Sequence, residues 1–218
     1  MGLHTCGDLA SAIVKFYAEC TEAKVLASVG CCYMRLTSTF PMSKSISSLP
    51  NSNTSPDQMF SYLSKELSCH AFETYVNRLR TEVENTKLKV HCYRALLELF
   101  IEENNPKLRH SALKSVPKCH LLSFEEYAER ATKDLNIKFD FENETVRIRI
   151  EQHLEEWWHV VIYYSLRLLF APLIETAILL DRSLFLLERG HNSSLIPIFE
   201  PTLSPRNHVL LSVKKSYE

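Results

Sequence analysis

The amino-acid sequence predicts an α/β fold that contains a large helical insertion. Three observations lead to this prediction: a helix and a strand near the start, a long stretch of helical periodicity in the middle, and two short strand-like runs at the end. The chain has 218 residues, enough for one sizeable core or for one domain with an insertion. Its 45% hydrophobic content is that of an ordinary globular protein.

The first predicted elements are a helix and a buried strand. From Asp8 to Cys20 the apolar residues recur at helical spacing, and the Asp8 carboxylate is suited to accept from the free backbone amides of a helix start. Residues 24–29 form a short apolar run followed by a glycine, as expected of a buried strand. If residues 2–3 end a preceding strand, the helix connects two parallel neighbours in a βαβ unit.

Changes of composition divide the chain into four predicted segments. Residues 1–36 hold the helix and a central strand of the core. Ser, Thr, Pro and Asn dominate residues 37–58, which can bury little apolar surface and are predicted to be a loose or disordered linker. Residues 59–190 are predicted to be mainly helical, and residues 191–218 to supply a terminal strand pair that completes the sheet.

Several helix starts and stops are readable inside the helical segment. Helices are predicted over residues 59–80 and 88–102. Ser123, with Glu126 three residues on, begins another in the pattern of a capping box. A long apolar stretch then runs to Gly190, and Pro172 is expected to break or kink it. Charged residues interrupt that stretch before any window reaches the roughly 20 residues that span a bilayer, which predicts a buried helical hairpin and no membrane association.

Charge and cysteine content narrow the range of expected functions, and glycine content excludes one class of cofactor-binding loop. The formal net charge of −1 at pH 7 gives no basic field of the kind typical of nucleic-acid-binding proteins. Seven cysteines without regular spacing, and no leader-like start, predict free thiols in an intracellular compartment, cytoplasmic or nuclear. The chain has four glycines, none spaced to form the G-x-G-x-x-G loop that cradles dinucleotides.

Six polar or reactive side chains follow the two predicted parallel strands: His4, Cys6, Asp8, Cys31, Cys32 and Tyr33. Ligands of open α/β sheets bind at this carboxyl edge, so these side chains form a candidate pocket. Two other interpretations stay open. The thiols could be small packing residues beside a capping Asp8, or His4, Cys6, Cys31 and Cys32 could bind zinc. Because adjacent cysteines of an extended chain point to opposite faces, no metal is predicted.

A second candidate pocket lies near the C-terminus. Arg206 and Asn207 follow Pro205 in the turn between the last two predicted strands. The arginine either belongs to a solvated, proline-shaped turn or offers a fixed cationic fork to a ligand.

Four stretches of the chain resemble one family. "GLHTCGDLA", "SVGCCYMRL", "LRLLFAPLIETAILLDRSLFLLERG" and "PIFEPTLSPRNHVLLSV" are together similar to the methyltransferase-like protein 25 family, with a looser likeness to tRNA 2′-O-methyltransferases. The resemblance implies an S-adenosylmethionine-dependent methyltransferase with a Rossmann-like sheet. In that sheet the first stretch would follow the fourth strand and "VLASVGCC" would be the fifth strand. The last two runs would be the sixth strand and an antiparallel seventh, inserted between the sixth and the fifth.

The resemblance also implies site residues. The cofactor-facing candidates are His4, Cys6, Gly7, Asp8, Cys31, Cys32 and Tyr33. Arg206 and Asn207 form the other candidate pocket, and no catalytic base can be assigned. Methyl transfer needs mainly alignment of the acceptor, RNA or protein, with the methyl group.

The chain departs from the family pattern in one large respect. The Gly-rich cofactor loop and the acidic residue that binds the ribose are missing, so the chain resembles the C-terminal part of such a protein, as in a short isoform. We expect it to be inactive alone. A fifth strand without its neighbour would be an exposed apolar edge that invites a protein partner. The alternative function is therefore a non-catalytic binding or scaffolding protein derived from a methyltransferase.

Overall fold

Residues 1–37, 39–49 and 60–214 are described by the computed structural model of the protein. They divide into two compact units. Unit 1 is Met1–Tyr75 with Arg167–Glu218, and unit 2 is Val76–Leu166. The predictions for Ser38, residues 50–59 and residues 215–218 lie outside the described residues.

The order of helices and strands along the chain agrees with the order predicted from the sequence. The helices are α1 (Asp8–Glu19), α2 (Lys44–Ser47), α3 (Tyr62–Leu67), α4 (Phe72–Leu79), α5 (Glu82–Thr86), α6 (Val90–Asn104), α7 (Phe124–Ala131), α8 (Glu144–Glu155), α9 (Trp157–Leu168) and α10 (Ala171–Leu187). The strands are β1 (Val25–Val29), β2 (Ser193–Pro197) and β3 (His208–Val213). Short 3₁₀ turns cover Tyr33–Arg35, Lys87–Lys89, Pro106–Leu108 and Cys119–Leu121. The protein thus combines helices with a small sheet, in agreement with the predicted α/β class.

The sheet of unit 1 has the order β1-β3-β2. The last strand of the chain, β3, lies between the other two and runs antiparallel to both. On the other side of β1, Gly2 forms a parallel bridge with Ser28. The Gly2 amide donates to the Ala27 carbonyl at 2.8 Å, and the Gly2 carbonyl accepts from the Val29 amide at 3.0 Å. Residue 2 therefore pairs in parallel with β1, and α1 connects the two.

One apolar cluster holds α1 and α10 against this sheet. Its buried members are Val14, Tyr17, Leu26, Phe185, Leu186 and Leu210. Tyr17 also places its hydroxyl 3.0 Å from the hydroxyl of Ser212 on β3, so the one polar atom of that ring has a partner in the core. Burial of these apolar side chains stabilises unit 1, together with a second buried cluster formed by Tyr33, Leu36, Phe40 and Ile178.

The predicted break and stop of the long apolar stretch are confirmed. Helix α9 ends at Leu168, and Pro172 stands in the first turn of α10, where its missing N–H costs no helical hydrogen bond. After α10, Gly190 has φ of 77°, and the following amide, that of His191, donates to the Leu186 carbonyl. Among the described residues, no helix combines the length and the apolar content needed to cross a membrane.

Part of the segment predicted to be a loose linker is packed. In residues 39–49, Ser43 is fully buried and caps α2, and the Met42 and Ser43 amides donate to the Asp181 carboxylate of α10. This corrects the expectation for these residues. The polar composition of a segment indicates that it buries little apolar surface. It does not indicate that a buried carboxylate elsewhere in the chain needs hydrogen-bond donors from that segment.

Unit 2 has its own core and is mostly helical. The buried cluster consists of Tyr93, Leu96, Leu97, Phe100, Ile101, Phe124, Tyr127, Ala128, Ala131 and Ile150. The predicted capping box at the start of α7 is confirmed, because the Ser123 hydroxyl accepts from the Glu126 amide while the Glu126 carboxylate accepts from the Ser123 amide. The helical prediction for residues 59–80 corresponds, in the described part, to two helices: α3 lies in unit 1, and α4 begins in unit 1 and ends in unit 2.

Candidate functional site

Two chain segments lie side by side at the carboxyl end of β1. One is the turn that leads into α1, and the other is the segment that leaves β1. The Gly7 amide donates to the Cys32 carbonyl at 3.1 Å, and the Thr5 hydroxyl donates to the Val29 carbonyl at 3.3 Å. The structure thus places the predicted residues of both segments, residues 4–8 and residues 31–33, at one edge of the sheet, which we call the rim.

Three thiols of this rim converge. Cys6 Sγ lies 3.5 Å from Cys31 Sγ, Cys31 Sγ lies 3.7 Å from Cys32 Sγ, and all three sulfurs fall within 4.8 Å of one another. The expectation that neighbouring cysteines diverge is therefore wrong here. Strand β1 ends at Val29 and a 3₁₀ turn begins at Tyr33, so the alternation of an extended strand does not apply between them.

Two of these thiols, those of Cys6 and Cys31, differ in acidity. Hydrogen bonds from Cys31 and Cys32 lower the pKa of the Cys6 thiol below its ordinary value, and the Arg35 guanidinium acts in the same direction. Burial raises the pKa of the Cys31 thiol to about 12. Cys6 is therefore a stronger acid than Cys31.

His4 is separate from the sulfur cluster. It is exposed, its backbone has φ of 56°, and its carbonyl accepts from the Cys6 thiol at 3.5 Å. Among the described residues, the group of side chains placed to share a metal ion contains the three cysteines without this imidazole. Three of the four zinc ligands considered in the sequence therefore meet.

Gly7 permits the close contact between the two segments. Its φ is 54°, and a Cβ at this position would overlap the Arg35 carbonyl oxygen. The space beside this glycine is thus filled by protein backbone. Gly7 therefore allows the two rim segments to approach each other closely.

Asp8 connects the rim to the chain that follows it. The helix start is capped by Gly7 without a side-chain hydrogen bond, so the predicted capping role of the Asp8 carboxylate is wrong. Its oxygens instead accept from the Thr37 amide at 3.0 Å, from the Thr37 hydroxyl at 2.5 Å and from the Thr39 hydroxyl. Burial opposes ionisation of this carboxyl, but the bonds from Thr37 and Thr39 outweigh it and hold its pKa below the ordinary value.

Tyr33 is a buried part of the same unit. Its hydroxyl donates to the Glu175 carboxylate at 2.7 Å, and the guanidinium groups of Arg182 and Arg206 lie 5.8 Å and 5.1 Å from its ring centre. Burial, followed by the nearby charge of Glu175, raises the pKa of the hydroxyl far above its ordinary value. Tyr33 therefore stays neutral as a hydrogen-bond donor.

The second candidate pocket joins this network. Arg206 donates to the Glu175 carboxylate at 2.8 Å and to the Ser68 carbonyl at 2.7 Å, and its side chain is only 15% exposed. The Asn207 side chain donates to the Phe199 carbonyl at 3.1 Å within the same turn. The fork of Arg206 is thus occupied by protein groups. Sequence reasoning missed Glu175 and Ser68, because helical periodicity alone does not indicate their partners.

The donor set of the rim does not fit the whole of S-adenosylmethionine. That cofactor presents a ribose diol, an adenine ring and an amino-acid group, and each needs well-placed polar partners. The carboxylate of Asp8 and the hydroxyl of Tyr33 are already engaged by Thr37, Thr39 and Glu175. The other predicted cofactor residues at the rim are an imidazole, three thiols and a glycine. These residues can form one wall of a pocket.

Comparison with known proteins supports the family resemblance. Residues 1–39 match a family model described as "Methyltransferase domain". The mouse protein named "Probable methyltransferase-like protein 25" is 30% identical over 225 residues, and the human protein of the same name is 29% identical over 231 residues. Each alignment covers 99% of this chain, but only 37% of the mouse protein and 36% of the human protein. No solved structure gives a significant match. Over nearly its whole length, the chain is therefore similar to the methyltransferase-like protein 25 family, as its motifs predict.

Proposed function

We propose that the chain forms the final strands and one pocket wall of an S-adenosylmethionine-dependent methyltransferase domain with a Rossmann-like sheet. The strand arrangement carries this proposal. Residue 2 pairs in parallel with β1, and β3 lies antiparallel between β1 and β2. This is the order expected if they are the end of the fourth strand, the fifth, the seventh and the sixth strand of such a sheet. The mainly helical residues between β1 and β2 would then be an insertion.

The rim residues take different parts in the proposed pocket. His4 and the three thiols of Cys6, Cys31 and Cys32 would face the ligand side, since none of them is held by a charged partner in the rim. Gly7, Asp8 and Tyr33 would shape the wall from behind through the contacts described above. Methyl transfer depends on alignment of two substrates, which a rigid wall favours. We assign no methyl acceptor, and RNA and protein both stay candidates.

We further propose that this chain alone does not hold the cofactor. The support is that its rim carboxylate and its tyrosine hydroxyl already have partners, and that its four glycines do not form a phosphate-binding or cofactor-binding loop. Titration calorimetry of the chain with S-adenosylmethionine and with S-adenosylhomocysteine is expected to show no saturable binding. Micromolar binding would contradict this part of the proposal.

A chimera tests the proposed pocket wall directly. The chain would replace the matching 37% of the mouse relative, and cofactor binding by the parent protein and by the chimera would be compared by calorimetry. We expect the chimera to bind with an affinity within about tenfold of the parent, a difference of roughly 1.4 kcal/mol. A folded chimera that fails to bind beside a parent that does bind would contradict the proposal and favour the non-catalytic alternative.

An exposed apolar edge favours that second candidate, a binding or scaffolding protein. Leu3 is 59% exposed and Val25, on β1, is 56% exposed, so the region where residue 2 pairs with the sheet offers apolar surface to a partner. Sedimentation of the purified chain tests this idea: association that Val25→Glu weakens is expected. A monomeric, cooperatively melting sample would count against a partner at this edge.

The state of the cysteines bears on localisation. All seven are unpaired, Cys6, Cys31 and Cys32 among them. Free thiols persist in reducing compartments, which supports the proposed intracellular location, cytoplasmic or nuclear.

A further inference from the structure

The three thiols at the end of β1 have the spacing of metal ligands. Zinc binds thiolate sulfur at about 2.3 Å in tetrahedral sites, which places two such sulfurs about 3.8 Å apart. The Cys6–Cys31 and Cys31–Cys32 sulfur distances are 3.5 Å and 3.7 Å. The third pair, Cys6 and Cys32, has its sulfurs within 4.8 Å, so they need to approach by at most about 1 Å for the three thiols to share one ion.

The backbone around the cluster is fixed by its own hydrogen bonds. The Cys32 carbonyl accepts from the Gly7 amide at 3.1 Å and from the Arg35 amide at 3.3 Å. The same contact aligns the segment of Cys6 with that of Cys31, although the two residues are 25 positions apart in the chain. The three ligands are thus brought together by the fold before any ion binds, and all three are half-buried, so an ion can reach them from solution.

We propose that Cys6, Cys31 and Cys32 bind one zinc ion through three thiolates, with the fourth position left to water. Soft thiolate ligands select zinc over magnesium and calcium, which prefer oxygen. Each thiol loses its proton to the buffer as the metal–sulfur bond forms. The proposal goes beyond the methyltransferase assignment, because it concerns this chain's own sulfurs and needs no S-adenosylmethionine. The ion would also connect the turn before α1 to the segment after β1.

The first experiment measures metal content. The chain would be purified under reducing conditions with zinc supplied, desalted, and analysed for zinc by mass spectrometry. One zinc per chain is expected for the wild type, and a loss of most of it in Cys6→Ser, Cys31→Ser and Cys32→Ser. Cys20→Ser is the matched control, since Cys20 is also half-buried but lies outside the cluster. A wild type without zinc, or equal zinc in all four variants, would overturn the proposal.

A second experiment needs no variant and so does not depend on their folding. Alkylation of each cysteine in the wild-type chain would be followed by peptide mass spectrometry, with and without zinc. We expect zinc to slow alkylation of Cys6, Cys31 and Cys32 by roughly tenfold or more while Cys20 and Cys119 are unaffected. Unchanged rates at the three cluster thiols, or recovery of Cys6 and Cys31 as a disulfide under the reducing conditions, would contradict zinc binding.

Cobalt as a substitute ion reports the geometry. A three-thiolate tetrahedral site gives visible d–d bands and a near-ultraviolet band from thiolate-to-cobalt charge transfer, and added zinc should abolish both. Weak visible bands typical of octahedral oxygen coordination would contradict the proposed site.

Discussion

Asp181 holds Ser43 through two hydrogen bonds inside unit 1. Its Oδ1 accepts from the Ser43 amide at 2.9 Å and from the Ser43 hydroxyl at 2.7 Å, and both residues are fully buried. The other oxygen accepts from the Met42 amide at 2.7 Å. A buried carboxylate is stable only with such donors, so this residue of α10 determines where residues 42–43 lie.

Removal of the Asp181 carboxylate should destabilise the protein strongly. In Asp181→Ala the half-buried Met42 amide and the buried amide and hydroxyl of Ser43 lose their acceptor, and we expect a loss of about 3–5 kcal/mol in the free energy of unfolding. Asp181→Asn keeps one acceptor oxygen and should cost less. Urea unfolding measures both. Asp134→Ala, at an exposed carboxylate in unit 2, is the control and should cost under about 1 kcal/mol. A comparable cost for both alanine variants would contradict the role of Asp181.

Tyr33 should make stability depend on alkaline pH. Its folded-state pKa is raised, first by burial and then by the charge of Glu175, so the native hydroxyl keeps its proton where the unfolded one has lost it. The unfolded state binds fewer protons above about pH 10, so stability falls as the pH rises from there. Below that range this contribution is fully present.

Tyr33→Phe tests that dependence. The variant should lose about 1–2 kcal/mol at neutral pH, since Glu175 keeps Arg206 as a donor but loses the tyrosine hydroxyl. Between about pH 9 and pH 11 its unfolding free energy should fall less steeply than that of the wild type. Tyr62→Phe, at an exposed ring, is the control and should keep the wild-type slope. Parallel curves for Tyr33→Phe and the wild type would refute the prediction.

Local signals in the sequence were sufficient for most elements of the fold. The strand predicted over residues 24–29 is β1, Val25–Val29, and Pro172 and Gly190 mark the start and the end of α10 as expected. Each of these features depends on the chemistry of a few neighbouring residues, such as a missing N–H or a positive φ. Capping by Ser123 is local in the same sense.

Contacts between distant residues account for what the sequence did not predict. The sequence predicts that Asp8 caps α1, because aspartate commonly caps a helix at this position. In the structure its carboxylate instead accepts hydrogen bonds from Thr37 and Thr39. Likewise, the convergence of Cys31 and Cys32 follows from where β1 ends. Amino-acid composition and hydrophobic periodicity describe single segments of the chain. They do not predict which polar groups of two distant segments form a hydrogen bond, because the tertiary arrangement decides that pairing. The proximity of the two segments could therefore be predicted from the sequence, but the hydrogen bonds of their individual residues could not.

Two glycines with positive φ allow one more prediction about the rim. Gly7 and Gly190 both have positive φ, 54° and 77°. A Cβ on Gly190 meets nothing within 4 Å, whereas a Cβ on Gly7 would overlap the Arg35 carbonyl oxygen. Gly190→Ala should therefore cost only the conformational strain, about 1–2 kcal/mol. In Gly7→Ala the overlap with Arg35 adds to this strain, so the free energy of unfolding should fall by roughly 1–3 kcal/mol more than in Gly190→Ala. The amide hydrogen of residue 7, which donates to the Cys32 carbonyl, should also exchange faster with solvent. If urea unfolding gave the same loss of unfolding free energy for Gly7→Ala and Gly190→Ala, the prediction would be wrong. The two rim segments would then move apart without a loss of stability, and Gly7 would not determine the distance between them.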